Sequence, residues 1–173
     1  MQEKREFDER FIKKINETIN KNIKETSGFR KVQVFIQGSD HIPPEPEKVP
    51  NLMNYYVYNY NNDIEDIFLK FAKYHIEFEK IHPFEDGNGR TGRLLLNYEL
   101  LKNDLPPVVI SKDERVKYFE FIRKNDSSGL AEWFKELSNA EEQRMQKFGY
   151  EKIWGNICGC RVKRKWKNRR FRI

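Results

Sequence analysis

His82-Pro83-Phe84-Glu85-Asp86-Gly87-Asn88-Gly89-Arg90-Thr91-Gly92-Arg93 is the stretch on which the reading of this chain turns. Its twelve residues hold a titratable base, a carboxylate suited to a hard cation, three glycines, an asparagine and two arginines. Upstream, Ile64, Ile67, Phe68, Phe71, Tyr74, His75 and Phe78 recur at helical spacing, predicting a helix from Ile64 to Lys80. Downstream, Leu94, Leu95, Leu96, Tyr98, Leu100 and Leu101 are apolar almost all round, which predicts a central, buried helix. The stretch is therefore a loop that enters a helix N-terminus.

Backbone N–H groups at such an entry attract anions, and glycine lets a phosphate come close. Gly87, Asn88 and Gly89 stand there, and Arg90 and Arg93 are spaced to leave one face of the first turn and hold a phosphate chain. Asp86 is out of place beside an anion unless Mg²⁺ intervenes, bound by one carboxylate and the phosphates themselves. His82 supplies a general base that works near neutral pH, and Phe84 points inward to anchor the loop.

Gly87-x-Gly89-x-x-Gly92 also fits the dinucleotide fingerprint, with Asp113 as the later acid, but that fingerprint needs a buried strand before it. A helix and a charged loop stand there instead. No Gly-Lys-Ser/Thr follows, so a P-loop is excluded. A plain helix cap leaves base, acid, glycines and paired arginines unexplained together.

Elsewhere, Phe7, Phe11, Ile12, Ile15, Ile19 and Ile23 predict an amphipathic helix that Ser27-Gly28 ends. Val32, Val34 and Ile36 alternate with polar residues, predicting a strand closed by Gly38-Ser39-Asp40. Prolines at 43, 44 and 46 exclude helix and central strand, so residues 31–49 read as a short hairpin or flap with an open edge. Leu52, Met53, Tyr56 and Tyr60 suit a helix, although the Tyr/Asn richness around them does not; the tyrosines are assigned to packing. His75 reads as a core histidine. Ser111 and Glu114 have capping-box spacing for a helix through Arg123, and a last helix runs from Gly129 to Lys147 with Leu130, Trp133, Phe134 and Leu137 inward.

The chain has 173 residues, 35% charged and 14% aromatic, which fits a folded domain rather than a disordered chain. No apolar run reaches the length of a membrane span, and the expectation is a cytoplasmic protein, with export as an effector left open. Cys158 and Cys160 are too few for a disulfide framework or a zinc site. The net charge of +6 sits in residues 161–173, which carry eight cations and no acid, leaving the body at −2. That tail, with Trp166 and Phe171 among its cations, reads as a disordered charge block, with nucleic acid or an anionic surface as the alternative partner.

His82-x-Phe84-x-Asp86-Gly87-Asn88-Gly89-Arg90-x-x-Arg93 resembles the signature of the Fic-domain family at every specified position. Gly28-Phe29-Arg30 and the following hairpin are similar to that family's flap, and the likeness spans residues 5–147. The resemblance implies a mainly α fold: a Fic-like helical core with a small β-hairpin flap over residues 1–150, followed by the basic tail at 151–173. It implies transfer of AMP from ATP to a Tyr, Thr or Ser hydroxyl of a protein. His82 would deprotonate that hydroxyl, Asp86 would hold Mg²⁺, Gly87, Asn88 and Gly89 would cradle the anion, and Arg90 and Arg93 would bind phosphates. The flap, Ile36, Gln37, Gly38, Ser39, Asp40, His41 and Ile42, would pair with the target backbone by strand addition. Relatives that transfer other groups carry Lys at the place of Gly89 or differ at that of Arg93, and both positions here favour AMP. The family's inhibitory motif is matched only by Ser138 and Glu142, read here as a solvated helix face; an inhibitory partner chain is a further expectation.

Overall fold

The computed structural model describes residues 7–23, 28–36 and 38–148. Six helices carry the architecture: α1 (Glu9–Asn20), α2 (Val49–Asn62), α3 (Ile67–Ile81), α4 (Asn88–Lys102), α5 (Arg115–Lys124) and α6 (Ser127–Lys147). A single 3₁₀ turn, Pro46–Lys48, leads into α2. Helix α3 is the hub, packed against α2, α4, α5 and α6, while α1 closes the other side of α4. Among the described residues no helix is long and apolar enough to cross a membrane. The basic tail, Cys158 and Cys160 lie outside the described residues.

Local chemistry sets the helix ends. Asp8 caps α1 by accepting the Phe11 N–H at 2.7 Å, so the helix begins two residues after Phe7. Phe7 is nonetheless buried, stacked on Tyr60 with ring centroids 4.1 Å apart. Asp66 caps α3 in the same way, and the expected start at Ile64 is wrong: that side chain is 98% exposed before the cap. Asp126 caps α6 through the Gly129 N–H. Ser111 and Glu114 form half of the expected capping box, the Ser111 N–H donating to Glu114 at 2.9 Å, one residue ahead of α5.

The core joins Ile12, Met53, Tyr56, Phe78, Leu100, Leu130 and Phe134 across five helices. Each such side chain, removed from water, contributes about 1.5–3 kcal/mol. The Tyr/Asn-rich segment is helical because Met53, Tyr56 and Tyr60 line one buried face, whereas Tyr55 and Tyr58 remain exposed. Helix α4 is less enclosed than its sequence predicts: Leu94 and Leu101 are nearly half exposed, since neighbours cover only the Leu95, Leu96 and Leu100 side.

The expected hairpin is not seen. Residues 31–36 and 38–45 form no strand, with bends at Lys31 and Val32 and a turn at Gly38, and Gln37 lies outside the described residues. Side chains take the carbonyls that a ladder would use. Arg30 donates to the oxygens of Val32 and Pro44, and Gln33 donates to that of Pro43. The prolines at 43 and 44 have no N–H to return.

Candidate active site around the α3–α4 loop

His82 ends α3 in the left-handed conformation, φ 50°, with its N–H on the Phe78 oxygen at 3.0 Å. Its Nδ1 faces the Glu79 carbonyl at 3.1 Å. A carbonyl can only accept, so Nδ1 carries the hydrogen and Nε2 is left as the lone pair of a neutral ring. Burial pushes the His82 pKa down, and Arg30 and His41 add to this against the opposing Glu79 carbonyl. The ring is therefore in its basic form at neutral pH.

The loop after His82 is clamped from inside. Phe84 is buried as expected, against Phe29 and Phe78. The Asn88 side chain accepts the Phe84 N–H and donates to the Phe84 oxygen, both at 2.8 Å. Any share of Asn88 in an anion cradle thus falls to its backbone N–H. Gly87 precedes α4 at φ 80°, and a Cβ there would stand 2.9 Å from Asn20 Nδ2, so position and packing both require glycine. No side chain caps the first amides of α4, which keeps them available to an anion.

Two buried asparagines of α1 hold this entry. Asn16 and Asn20 both donate to the Asp86 oxygen, at 2.9 and 3.2 Å, and Asn16 also reaches Thr91 Oγ1. Asn20 Oδ1 accepts from Arg90 at 2.8 Å. Arg90 further pairs with Asp86 at 3.0 Å, a half-exposed contact worth at most about 1 kcal/mol and easily exchanged. Asp86 is the acid paired with Arg90 at the α4 entry, and no cluster of three metal-ligating side chains occurs among the described residues. That donor set suits Mg²⁺ completed by phosphate oxygens rather than a protein-built cage.

Arg93 does not turn the same way as Arg90. It lies half-buried over Gly89, on the side of Glu79 of α3 and Tyr118 of α5. His75 is a core residue as expected, 2.8 Å from the Tyr118 hydroxyl, and burial drops its pKa to about 3. Ser138 departs from its expected solvated face: it is buried and donates to the Pro106 oxygen at 2.7 Å. Glu141 pairs with Arg144 on the exposed side.

The flap residues are brought near the loop by two ties. His41 Nε2 donates to the Lys80 oxygen at 2.9 Å, and Ser39 N–H closes a turn onto Ile36 at 3.1 Å around Gly38, φ 77°. Asp40 and Ile42 are exposed beside them. The other tie is Arg30, whose side chain is buried and reaches the oxygens of His82 at 2.9 Å and Ile81 at 3.5 Å, while its N–H reaches that of Pro83. Arg30 was expected only as part of the flap-like stretch Gly28-Phe29-Arg30, not as an anchor of the loop. Asn16 and Asn20 were equally overlooked, although polar residues four apart on an apolar helix face are a readable signal.

The chain matches the Fic/DOC family over residues 6–100. It is 34% identical to the protein adenylyltransferase Fic of Aedes aegypti over 68% of this chain and 24% of that protein. It is 33% identical to the protein of the same name from Nematostella vectensis, over 72% of this chain and 29% of that one. The chain thus spans less than a third of the length of these curated relatives. Among solved structures, Fic-1 from C. elegans superposes with a TM-score of 0.62 at 26% identity, covering 79% of this chain and 42% of that one. A Fic domain containing signaling protein from Bacteroides thetaiotaomicron gives 0.72 at 24% identity, covering 81% and 62%, a likeness of fold. With the signature loop, its helical frame and the matched residues in agreement, this chain belongs to the Fic/DOC family.

Proposed function

We propose that this chain is a protein adenylyltransferase that moves AMP from ATP to a Tyr, Thr or Ser hydroxyl of a target protein. The observation that supports the reading is His82 Nδ1 facing the Glu79 carbonyl, which leaves Nε2 to act as base at the head of the loop leading into the uncapped first turn of α4 with its two arginines. In this reading Nε2 takes the hydroxyl proton, the freed oxygen bonds to the α-phosphorus, and the bond from that phosphorus to the bridging oxygen breaks. Pyrophosphate leaves with the bond's electron pair. The amides of Gly87, Asn88 and Gly89 receive phosphate oxygens, and Arg90 and Arg93 bind the departing end. Asp86 would hold Mg²⁺, which neutralises charge on the phosphate chain. The relatives' shared name supports the nucleotidyl reaction.

The target is proposed to lie along the flap segment Ile36, Gln37, Gly38, Ser39, Asp40, His41 and Ile42, whose described residues form no strand of their own. The exposed Phe35 and Ile42 side chains would contact it.

The test is transfer of label. Protein incubated with ATP and a cell lysate is expected to pass label from the α-phosphate and none from the γ-phosphate. His82→Ala is expected to lower this by about 10²–10⁴-fold. Transfer of γ-label would mean a kinase-like reaction and would overturn the proposal.

A further inference from the structure

Glu79 is a carboxylate the proposed chemistry does not use, yet it sits under the phosphate-facing turn of α4. It is 8% exposed. A Cβ on Gly92 would meet its Oε1 at 2.8 Å, and a Cβ on Gly89 would lie 3.8 Å from that oxygen and 3.2 Å from Arg93 Nη1. Carboxylate and guanidinium therefore flank the same glycine. Tyr118 joins them: its hydroxyl donates to Glu79 Oε1 at 3.3 Å, and Arg93 is near enough for its charge to act on that hydroxyl. The same hydroxyl meets His75 Nε2 at 2.8 Å.

Tyr118 has one hydroxyl hydrogen for two neighbours, and the cluster has two complete proton arrangements. With Glu79 ionised, Tyr118 donates to it and accepts from His75. With Glu79 protonated, Glu79 donates to Tyr118, and Tyr118 donates to Nε2 of the other neutral tautomer of His75. The Tyr118 hydroxyl is thus paired on both sides whether or not the proton is present.

We propose that Glu79 is a positioning residue for Arg93: it is the anionic neighbour that, with Tyr118, orients the guanidinium before phosphate binds, and it takes up a proton as polyphosphate replaces it. This rests on the adenylyltransferase reading. A buried arginine is costly without an anion nearby, and Glu79 supplies one. Once phosphate does so, Glu79 loses the benefit of the arginine's charge. The other groups facing it are His75 from α3, Tyr118 from α5 and Tyr56 from α2. Burial already lifts the Glu79 pKa to about 7, against the opposing pull of Arg93. Screening that charge lifts it further, so proton uptake falls in an accessible pH range.

Calorimetric titration of ATP with Mg²⁺, in buffers of different ionisation heat, tests this on the full chain, Arg93→Ala, Glu79→Gln and Tyr118→Phe. Proton uptake by the native chain should exceed that of Glu79→Gln. Its affinity should fall by up to about tenfold per pH unit above pH 7 relative to that variant, in which ATP's own titration is shared. Glu79→Gln should bind ATP more tightly at the alkaline end. Equal proton uptake and equal slopes overturn the role of Glu79 alone. ATP binding that ignores Arg93→Ala instead overturns the phosphate reading on which it rests. If Glu79→Gln does not fold, Tyr118→Phe and the native chain decide: uptake no greater than ATP itself requires, in both, overturns the proposal.

Discussion

His82 spends its Nδ1 hydrogen on the Glu79 backbone oxygen, 3.1 Å away, which fixes both the tautomer and the direction of the free nitrogen. One backbone carbonyl thus prepares the base. Because the contact is to main chain, no side-chain change at position 79 removes it directly.

Burial lowers the His82 pKa below its ordinary 6.5, so the base form persists to more acid pH than a free histidine allows. The acid limb of kcat/KM for AMP transfer is expected to have its midpoint below that value. A pH–rate profile with the midpoint at or above it would contradict the assignment.

Asp86→Ala should weaken Mg²⁺-dependent ATP binding, since the carboxylate is the proposed link between metal and phosphate. Titration of ATP with and without Mg²⁺ measures this. Metal dependence that survives the substitution removes Asp86 from the role.

Gly87→Ala forces a side chain into φ 80° and against Asn20. It should cost about 1–3 kcal/mol of stability, read by urea denaturation, and weaken ATP binding through the displaced loop. A variant as stable as the native chain would mean that the loop yields freely there.

Arg30→Ala leaves several buried carbonyls unsatisfied and should destabilise the fold by about 3 kcal/mol. Arg30→Lys should recover only part of this, because an ammonium cannot reach the same set of oxygens. Denaturation midpoints of the two variants decide it.

His75 also shapes the acid side of the stability curve. The unfolded chain takes its proton near 6.5, whereas the folded ring does so only near 3. Between these values stability falls as pH falls, at up to about 1.4 kcal/mol per pH unit from this group. His75→Gln should flatten the slope in equilibrium unfolding.

The helical frame and the signature were legible because their information is local. The apolar stripe of α3 and the contiguous His82–Arg93 residues need no distant partner to be recognised. The strand expected from the alternation at Val32, Val34 and Ile36 is not seen, because alternation signals a strand only if backbone partners exist, and here Arg30 and Gln33 occupy carbonyls of the segment. Arg30 itself was not legible: its contact with His82 crosses 52 positions of sequence. The pairing of Asn16 and Asn20 with Asp86 is similarly remote, and the opposite turns of Arg90 and Arg93 depend on α1 and α5 rather than on their own spacing.

Arg30 and Gln33 secure the root of the flap segment, and His41 fastens its far side to α3. Residues 34–40 are thereby bracketed by anchors that do not depend on their own identity. That span can diverge, or be exchanged for another chain's, while the geometry of His82 stays as it is. On the proposed reading, choice of target and execution of the reaction would be separately mutable, and a new target would be reached by altering the bracketed span without retuning the base.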